Sequence, residues 1–165
     1  MNASAPIKHT QAESDLLERF DSAKDGLAGS VAVKALREAA LGQIRDRGLP
    51  HRRVEEYKYS DLRAYMKSAA SLAGATDAAI ASKLIETQDG FGDLDRYRIV
   101  VANGSYLAEL SDVEALAGEG VTLTSVADAL AGETGTQLIA SPKTGPSDGV
   151  VALNTAFLQG GVVMT

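Results

Sequence analysis

The sequence predicts an α+β fold, in which a helical front precedes a smaller part that contains strands. Apolar residues recur every three or four positions up to about residue 88, and they alternate with polar residues from about residue 90 onward. The length of 165 residues suits one domain or a small two-part domain. We therefore predict an N-terminal helical region over 10–88 and a small α/β unit over 89–131.

Two amphipathic helices open the helical region. Thr10 and Glu13 have the spacing of a capping box at the start of the first helix. Its apolar stripe consists of Ala12, Leu16, Phe20, Ala23 and Leu27. Ser30 is predicted to begin the second helix and Gly48 to end it. The apolar face of the second helix consists of Val33, Leu36, Ala40 and Ile44. Its outward charged residues are predicted to be Arg37, Glu38 and Arg45.

The segment after Pro50 mixes aromatic and charged residues. The candidate structural or interface residues in it are Arg52, Arg53, Glu55, Glu56, Tyr57, Lys58, Tyr59 and Asp61. Because the two tyrosines alternate with charged residues, we predict a short extended stretch, followed by a short helix that Ser60 caps. Carboxylates lie among the basic residues, so intramolecular ion pairing is favoured over nucleic-acid binding.

A further helix and a hairpin follow. Thr76 is predicted to cap a helix that ends near Thr87. Asn103-Gly104 is the strongest hairpin signal in the chain, because a type I′ turn needs positive φ at both central residues. This turn would place three facing pairs on the core side of the hairpin, namely Val101 with Tyr106, Ile99 with Ala108, and Tyr97 with Leu110.

The rest of the predicted α/β unit holds two short helices and a strand. Ser111 and Glu114 have the spacing of a second capping box, for a helix that ends at Gly118. Val121–Thr124 is predicted to be a strand, and Ser125 is predicted to cap the next helix.

Residues 132–149 are rich in Gly, Ser, Thr and Pro, which predicts a flexible connector. Residues 150–165 are predicted to resume as apolar strands around a Gly160-Gly161 turn. A chain that stops within the strand Val162–Met164 would leave an unpaired apolar edge. We therefore expect this chain to be the first part of a longer protein, and self-association of the fragment through that edge is left as an open alternative.

Composition argues against several classes of protein. The chain has no Cys, which excludes disulfides and thiolate metal sites and suits a reducing compartment. No apolar run approaches the ~18 residues that span a membrane. The net charge of −6 argues against a nucleic-acid partner. Residues 1–9 lack a secretory signal pattern and are predicted to be disordered.

No sequence motif indicates catalysis. His9 and His51 are the two histidines, and they lie 42 positions apart without a periodic carboxylate partner, which is a poor metal signal. No nucleophile elbow or phosphate-binding glycine loop is present. We predict no catalytic, cofactor-binding or metal-binding residue. A small hydrolase or ligand-binding enzyme is the less favoured alternative, and it requires a pocket around His51 or Asp61.

Three segments resemble the SufD family of iron–sulfur cluster assembly proteins. Gly48–Arg63, GLPHRRVEEYKYSDLR, resembles the family's G-L-P-x-R-R-x-E-[ED]-W-K-Y-[ST]-D-L-R, with Tyr57 where the family usually has Trp. Arg98–Ser111 is similar to the family's hairpin. Val150–Val163 is similar to the family's first strands of a long right-handed parallel β-helix. The three matches keep their order and span most of the chain after about residue 10.

The resemblance implies a non-catalytic scaffold component of the SUF complex, here its N-terminal region with the truncated start of a β-helix over 150–165. It implies SufB-like and SufC-like partner subunits, contacted mainly through regions outside this chain, and a cytoplasmic location. The complex assembles iron–sulfur clusters, but no cluster, iron or flavin ligand is carried over to these residues. A free-standing protein–protein interaction module is the alternative.

Two surface roles are predicted from these patterns. The segment Arg52–Tyr59 would clasp the front helices to the β-helix through Tyr57 and Tyr59, because tyrosine combines a large apolar body with a polar tip. The charged residues of the second helix, Arg37, Glu38 and Arg45, would face outward and recruit a partner that delivers sulfur or iron.

Overall fold

A computed structural model of the chain describes residues 7–88, 90–139 and 148–165. The fold is α+β, as predicted. The described residues form two compact units. The first unit comprises those within 1–72 and 130–158, and the second comprises those within 73–129 and 159–165. Of the terminus that was predicted to be disordered, residues 1–6 lie outside the described residues.

The first unit is helical. Its α-helices are α1 (Gln11–Ala23), α2 (Val31–Arg47), α3 (Leu62–Tyr65), α7 (Gly135–Ile139) and α8 (Gly149–Phe157). A 3-10 helix, Glu55–Tyr57, lies between α2 and α3. The long helix α2 packs against α8, α7 and α1.

A capping box fixes the start of α1, and Ser30 and Gly48 fix the two ends of α2, as predicted. Thr10 N donates to Glu13 Oε2 at 2.6 Å and Glu13 N donates to Thr10 Oγ1 at 3.3 Å, which completes the capping box. Val33 N donates to Ser30 Oγ at 3.3 Å. Gly48 ends α2 with a φ of 74°, a value that favours glycine.

The core of the first unit joins α1, α2 and α8. Its buried members are Phe20, Leu27, Ala40, Leu41 and Ala156, with Leu17 and Phe157 packed against them. Phe20 and Phe157 meet edge to face, with ring centroids 5.7 Å apart. On α2, the predicted apolar face was wrong for Leu36, which is 38% exposed. The prediction also missed Leu41, which is fully buried.

The predicted strand at the start of 150–165 is a helix. Asp148 caps α8 by accepting from Val150 N and Val151 N, at 3.0 and 3.2 Å. Ala152 and Ala156, four residues apart, are its buried face. A short apolar run does not distinguish a strand from a buried helix by periodicity, and here packing on α2 decides for the helix.

Part of the predicted flexible connector 132–149 is also helical. Helix α7 occupies Gly135–Ile139, and its residue Ile139 is buried. Burial of one apolar side chain against α2 is consistent with a packed segment at this point. Residues 140–147 lie outside the described residues.

The second unit combines short helices with two small sheets. Its α-helices are α4 (Ala78–Gln88), α5 (Val113–Gly118) and the start of α6 (Val126–Ala131), whose last residues, Leu130 and Ala131, belong to the first unit. Its strands are β1 (Val101–Ala102), β2 (Ser105–Tyr106), β3 (Leu123–Ser125) and β4 (Val162–Met164). A 3-10 helix occupies Ala108–Leu110.

The Asn103-Gly104 hairpin is confirmed, but it is shorter than predicted. Asn103 and Gly104 have φ values of 48° and 81°, and Val101 pairs with Tyr106 in an antiparallel ladder. The two further predicted pairs, Ile99 with Ala108 and Tyr97 with Leu110, do not form, because Ala108–Leu110 is a 3-10 helix. The predicted core face was also wrong for Val101 and Tyr97, which are about half exposed.

Of the two later predicted caps, one is confirmed. Asp128 N donates to Ser125 Oγ at 3.1 Å at the start of α6. The capping box at Ser111 does not form. Instead, Ser111 Oγ donates to Leu107 O at 2.7 Å and accepts from Val100 N at 2.9 Å, so its hydroxyl bridges two loop segments.

The predicted strand Val162–Met164 is present as β4 and is paired. It forms an antiparallel ladder with β3, in which Thr124 faces Val163. Hydrogen bonds between Thr122 and Thr165 extend the ladder, at 2.8 and 3.0 Å. Both sheets of the described residues are two-stranded and antiparallel, so the expected parallel β-helix start is not seen there. Among these residues, no helix is both long and apolar enough to cross a membrane.

Candidate functional site

The segment Gly48–Arg63, hereafter the motif loop, lies in the first unit and turns back on itself. Arg63 N donates to Pro50 O at 3.2 Å, which closes the loop near its two ends. The extended stretch predicted within it was wrong. The backbone instead forms 3-10 turns, with Tyr57 N donating to Val54 O at 2.9 Å. Within the described residues no strand lies alongside it, so local turns satisfy its backbone polar groups.

Both ends of the motif loop meet the carboxylate of Glu13, which is fully buried in α1. Leu49 N donates to Glu13 Oε1 at 2.7 Å, and Arg63 Nε lies 3.3 Å from the same oxygen. A Cβ placed on Gly48 would lie 2.5 Å from Glu13 Oε1, and Gly48 also has a positive φ. The site therefore requires glycine at position 48.

Glu13 remains ionised in spite of its burial. Burial by itself raises the pKa of this carboxyl group. The backbone N–H groups of Thr10 and Leu49, together with the charge of Arg63, outweigh that effect and hold the pKa below its ordinary value. Glu13 is thus an internal anion that orders the loop. It was predicted as a helix cap, and its second role was not anticipated.

A second anchor joins the middle of the motif loop to α8. Tyr57 Oη donates to Asp148 Oδ1 at 2.7 Å, and Asp148 is the N-cap of α8. Burial and the Asp148 carboxylate raise the pKa of Tyr57 to about 12. The same hydrogen bond lowers the pKa of Asp148. A Cβ on Gly149 would lie 2.8 Å from Pro50 Cδ, so loop and helix are in close contact.

The two tyrosines of the predicted clasp differ in their surroundings. Tyr57 is anchored to the helix α8, where a β-helix had been expected. Tyr59 is 87% exposed, and Lys58 Nζ lies 5.7 Å from its ring centroid. The sequence offered no signal for Asp148, because it lies 91 positions from Tyr57.

Asp61, and not the predicted Ser60, caps the short helix α3. Ala64 N donates to Asp61 Oδ1 at 2.9 Å. The two residues are adjacent and both belong to the residue types that favour N-cap positions, so composition did not separate them.

The outer part of the motif loop carries four exposed charged residues, namely Arg52, Arg53, Glu55 and Glu56. The ion pairs that were predicted among them are not formed, because none of the four pairs with any residue that the structure describes. The segment is therefore held by Tyr57 and by its two ends, and its charges face solvent.

A cleft of about 220 Å³ lies beside these charges. Its lining consists of His51, Arg52, Arg53, Asp61 and Arg63. This is the place that the enzyme alternative requires for a pocket. The lining contains no Ser, Thr or Cys, and Asp61 already accepts a backbone hydrogen bond. The cleft thus combines cationic hydrogen-bond donors with one imidazole and one carboxylate, and its lining holds no hydroxyl or thiol nucleophile.

Arg37, which was predicted to face outward, is 1% exposed. Its Nη2 donates to Leu158 O at 2.6 Å, at the end of α8. Burial lowers the pKa of Arg37. Among the described residues, Nε and Nη1 have no hydrogen-bond partner. The prediction that Arg37 recruits a partner is therefore wrong, and the residue instead ties α2 to the C-terminal end of α8.

Glu38 and Arg45 are partly exposed, as predicted, but they pair with each other. Arg45 Nη1 lies 3.3 Å from Glu38 Oε2, and Arg45 Nη2 lies 3.3 Å from Asp21 Oδ1 of α1. The two residues thus belong to a surface ion-pair network between α1 and α2. Recruitment of a partner by them stays a prediction.

The described part of the chain contains no group of three or more His, Cys, Asp or Glu residues placed to hold a metal ion. This finding concerns residues 7–88, 90–139 and 148–165 alone.

Comparison with known proteins identifies the family. A family model described as the SufBD protein N-terminal region matches residues 10–165. No curated protein and no solved structure matches the chain. The matched range contains the motif loop, its anchors Glu13 and Asp148, the hairpin and the final helix and strand. The chain therefore belongs to the SufBD N-terminal region family, which is part of the SUF system of iron–sulfur cluster assembly.

Proposed function

We propose that this chain is the N-terminal framework of a SufD-type subunit and contributes a recognition surface, without catalytic chemistry of its own, to a SUF assembly complex. The observation that supports this proposal is the construction of the motif loop. Glu13 holds its two ends and Asp148 holds its centre. The residues that resemble the SufD pattern most closely are thus divided between internal anchors and an exposed surface.

The exposed surface has the composition of a binding patch. It presents Arg52, Arg53 and Tyr59, which are among the residue types that dominate binding energy at protein interfaces. An anchored loop loses little conformational entropy when a partner binds, so its side chains are already positioned for contact. A loop built in this way is suited to recognition.

The partners that we propose are SufB-like and SufC-like subunits, with the SufB-like subunit as the one that contacts the motif loop. The SufD assignment rests on the agreement of Gly48–Arg63 with the SufD pattern, with Tyr57 in place of Trp. Iron, sulfide and the finished cluster would be handled by the assembled complex. We place the complex in the cytoplasm, in keeping with a chain that contains no Cys.

The proposal is tested by titrating this chain into purified SufB-like and SufC-like subunits and measuring binding by calorimetry. We expect a complex with the SufB-like subunit. The double substitution Arg52→Ala and Tyr59→Ala should weaken it at least tenfold, since both side chains are exposed on the motif loop.

The matched control changes an exposed cation and an exposed tyrosine elsewhere in the first unit, Lys34→Ala with Tyr65→Ala. It should leave the affinity within about twofold. Circular dichroism establishes that both variants are folded. Failure of the chain to bind either subunit, or an equal loss in the control, would contradict the proposed function.

A further inference from the structure

We propose that the cleft beside the motif loop is a binding site for one phosphate-class oxyanion. The lining residues are His51, Arg52, Arg53, Asp61 and Arg63. This inference goes beyond the recognition role proposed above and does not depend on it, because it concerns a small anion and not a protein partner.

The charges of the lining favour an anion. The Arg63 guanidinium faces the buried Glu13 carboxylate at 3.3 Å, so that pair is balanced. Arg52 and Arg53 form no ion pair with any residue in the described ranges. Asp61 is the one carboxylate of the lining, and its Oδ1 already accepts from Ala64 N. The lining of the cleft therefore holds two guanidinium groups without an ion-pair partner and one carboxylate, which accepts a backbone hydrogen bond.

His51 adds a further hydrogen-bond donor. Arg53 N donates to His51 Nδ1 at 3.2 Å, so in the neutral imidazole Nδ1 is the acceptor and Nε2 carries the proton. The guanidinium groups of Arg52 and Arg53 each carry five N–H donors in a planar fork that matches oxyanions, whereas Arg63 already donates to Lys8 O and faces Glu13. The donors of the lining exceed what the two oxygens of a carboxylate accept, and this favours phosphate with its larger number of acceptor oxygens.

The size of the cleft limits the ligand to a single group. Its volume of about 220 Å³ is smaller than the ~300–1,000 Å³ of sites that enclose drug-sized molecules. A phosphate group can enter either as the free ion or as the end of a larger molecule that stays outside. A nucleic-acid strand is disfavoured because the chain has a net charge of −6 and a single cleft does not follow a backbone of many phosphates.

The test is calorimetric titration of the folded chain with inorganic phosphate at constant ionic strength. We expect saturable binding with a Kd on the order of 1 mM, a strength that a few charge-assisted hydrogen bonds provide. The double variant Arg52→Gln with Arg53→Gln should weaken binding at least tenfold. Lys34→Gln with Lys83→Gln makes the same change in net charge at two exposed positions and should leave Kd within twofold.

Three further measurements test the role of the guanidinium geometry, the source of the phosphate group and the selectivity for phosphate over acetate. Arg52→Lys keeps the positive charge but loses the planar pair of N–H donors, so its Kd for phosphate should lie between those of the unchanged chain and the double variant. Its unfolding transition should be unchanged. Phosphoserine that binds more tightly than inorganic phosphate would identify a phosphate carried on a larger molecule, and the reverse order would identify the free ion. Acetate that competes as well as phosphate at equal ionic strength, or an unchanged Kd in the double arginine variant, would overturn the proposal.

Discussion

Glu13 shows how one acidic side chain organises a distant segment. Its carboxylate is buried in α1, yet it accepts hydrogen bonds from the backbone of Thr10 and Leu49 and faces Arg63. A buried charge is tolerated when it is both paired and hydrogen-bonded, and Glu13 meets the two conditions. The start and the end of the motif loop therefore depend on a residue that precedes Leu49 by 36 positions.

The substitution Glu13→Gln should lower the free energy of unfolding by about 3 kcal/mol. It leaves Arg63 without its anion and weakens two hydrogen bonds to a charged acceptor. Urea unfolding followed by circular dichroism measures the change. Glu18→Gln, on the exposed side of the same helix, should alter stability by less than ~0.5 kcal/mol. Equal effects of the two substitutions would show that Glu13 does not anchor the loop.

Arg37 marks the residue at which sequence reasoning failed most clearly. The prediction selected Leu36 as a core residue because it is apolar. At about 100° per residue, however, Arg37 lies within about 20° of Ile44 on the helix surface, and Leu36 lies towards the edge of the buried face. Val33, Arg37 and Leu41 are four residues apart, and this spacing indicates that all three lie on the buried face. Position 37 was not assigned to that face because arginine is charged. The buried guanidinium donates a hydrogen bond to the Leu158 carbonyl, and the sequence does not indicate this distant partner.

At the scale of single elements, the motif loop combines a turn that needs glycine with two anchors. Gly48 connects the end of α2 to the loop at a φ of 74°, directly against the Glu13 carboxylate. A side chain at this position would meet both the conformational cost of positive φ and a steric clash. The loop is therefore sensitive to change at a residue that carries no functional group.

Gly48→Ala should destabilise the protein by about 3 kcal/mol, because the new methyl group displaces Glu13 and the residue has to keep a positive φ. Gly42→Ala is the matched control, since Gly42 lies inside α2 and an added Cβ would meet no atom within 4 Å beyond its chain neighbours and the nearby backbone of its own helix. It should stabilise by up to ~1 kcal/mol through helix propensity. Chemical denaturation of both variants provides the comparison, and opposite signs are expected. Destabilisation of similar size in both would refute this explanation.

Local signals were sufficient at some helix starts, whereas the predicted caps at Ser60 and Ser111 do not form, and elements fixed by distant contacts were predicted poorly. The caps at Thr10, Ser30 and Ser125 depend on residues three positions away, and all three are confirmed. The helix α8 was predicted as strand, because its identity depends on packing against α2. The cleft was not predicted from sequence either, since it brings Arg52 and Arg53 next to Arg63 through the closure of the loop.

At the scale of the whole molecule, Glu13, Asp148 and Tyr57 are among the ionisable groups that shape the dependence of stability on pH. Glu13 and Asp148 have lowered pKa values in the folded chain, and Tyr57 has a raised one. A lowered carboxyl pKa contributes stability that is present above the ordinary value and is lost as the pH falls through the folded value. A raised tyrosine pKa contributes stability that is lost as the pH rises towards that value.

We therefore expect the stability of the chain to fall as the pH drops below about 4.5 and as it rises from 10 towards about 12. Tyr57→Phe should lower stability at neutral pH by about 1 kcal/mol and remove much of the alkaline decline. Thermal unfolding over a range of pH values measures both arms. Tyr65→Phe, which changes an exposed tyrosine, should leave the profile unaltered. An alkaline decline of the same size in Tyr57→Phe would rule out the contribution of Tyr57.

The packing of α2 against α8 has a consequence for biosynthesis. Arg37 and Leu158, which are joined by a hydrogen bond, are 121 residues apart. Phe20 likewise becomes buried only when Ala156 and Phe157 of α8 pack against it. While the nascent chain is still being translated, the apolar faces of α1 and α2 have no cover from α8. The ribosome thus releases the last core segment of this unit long after the first, and during that interval the emerging chain exposes apolar surface that favours aggregation.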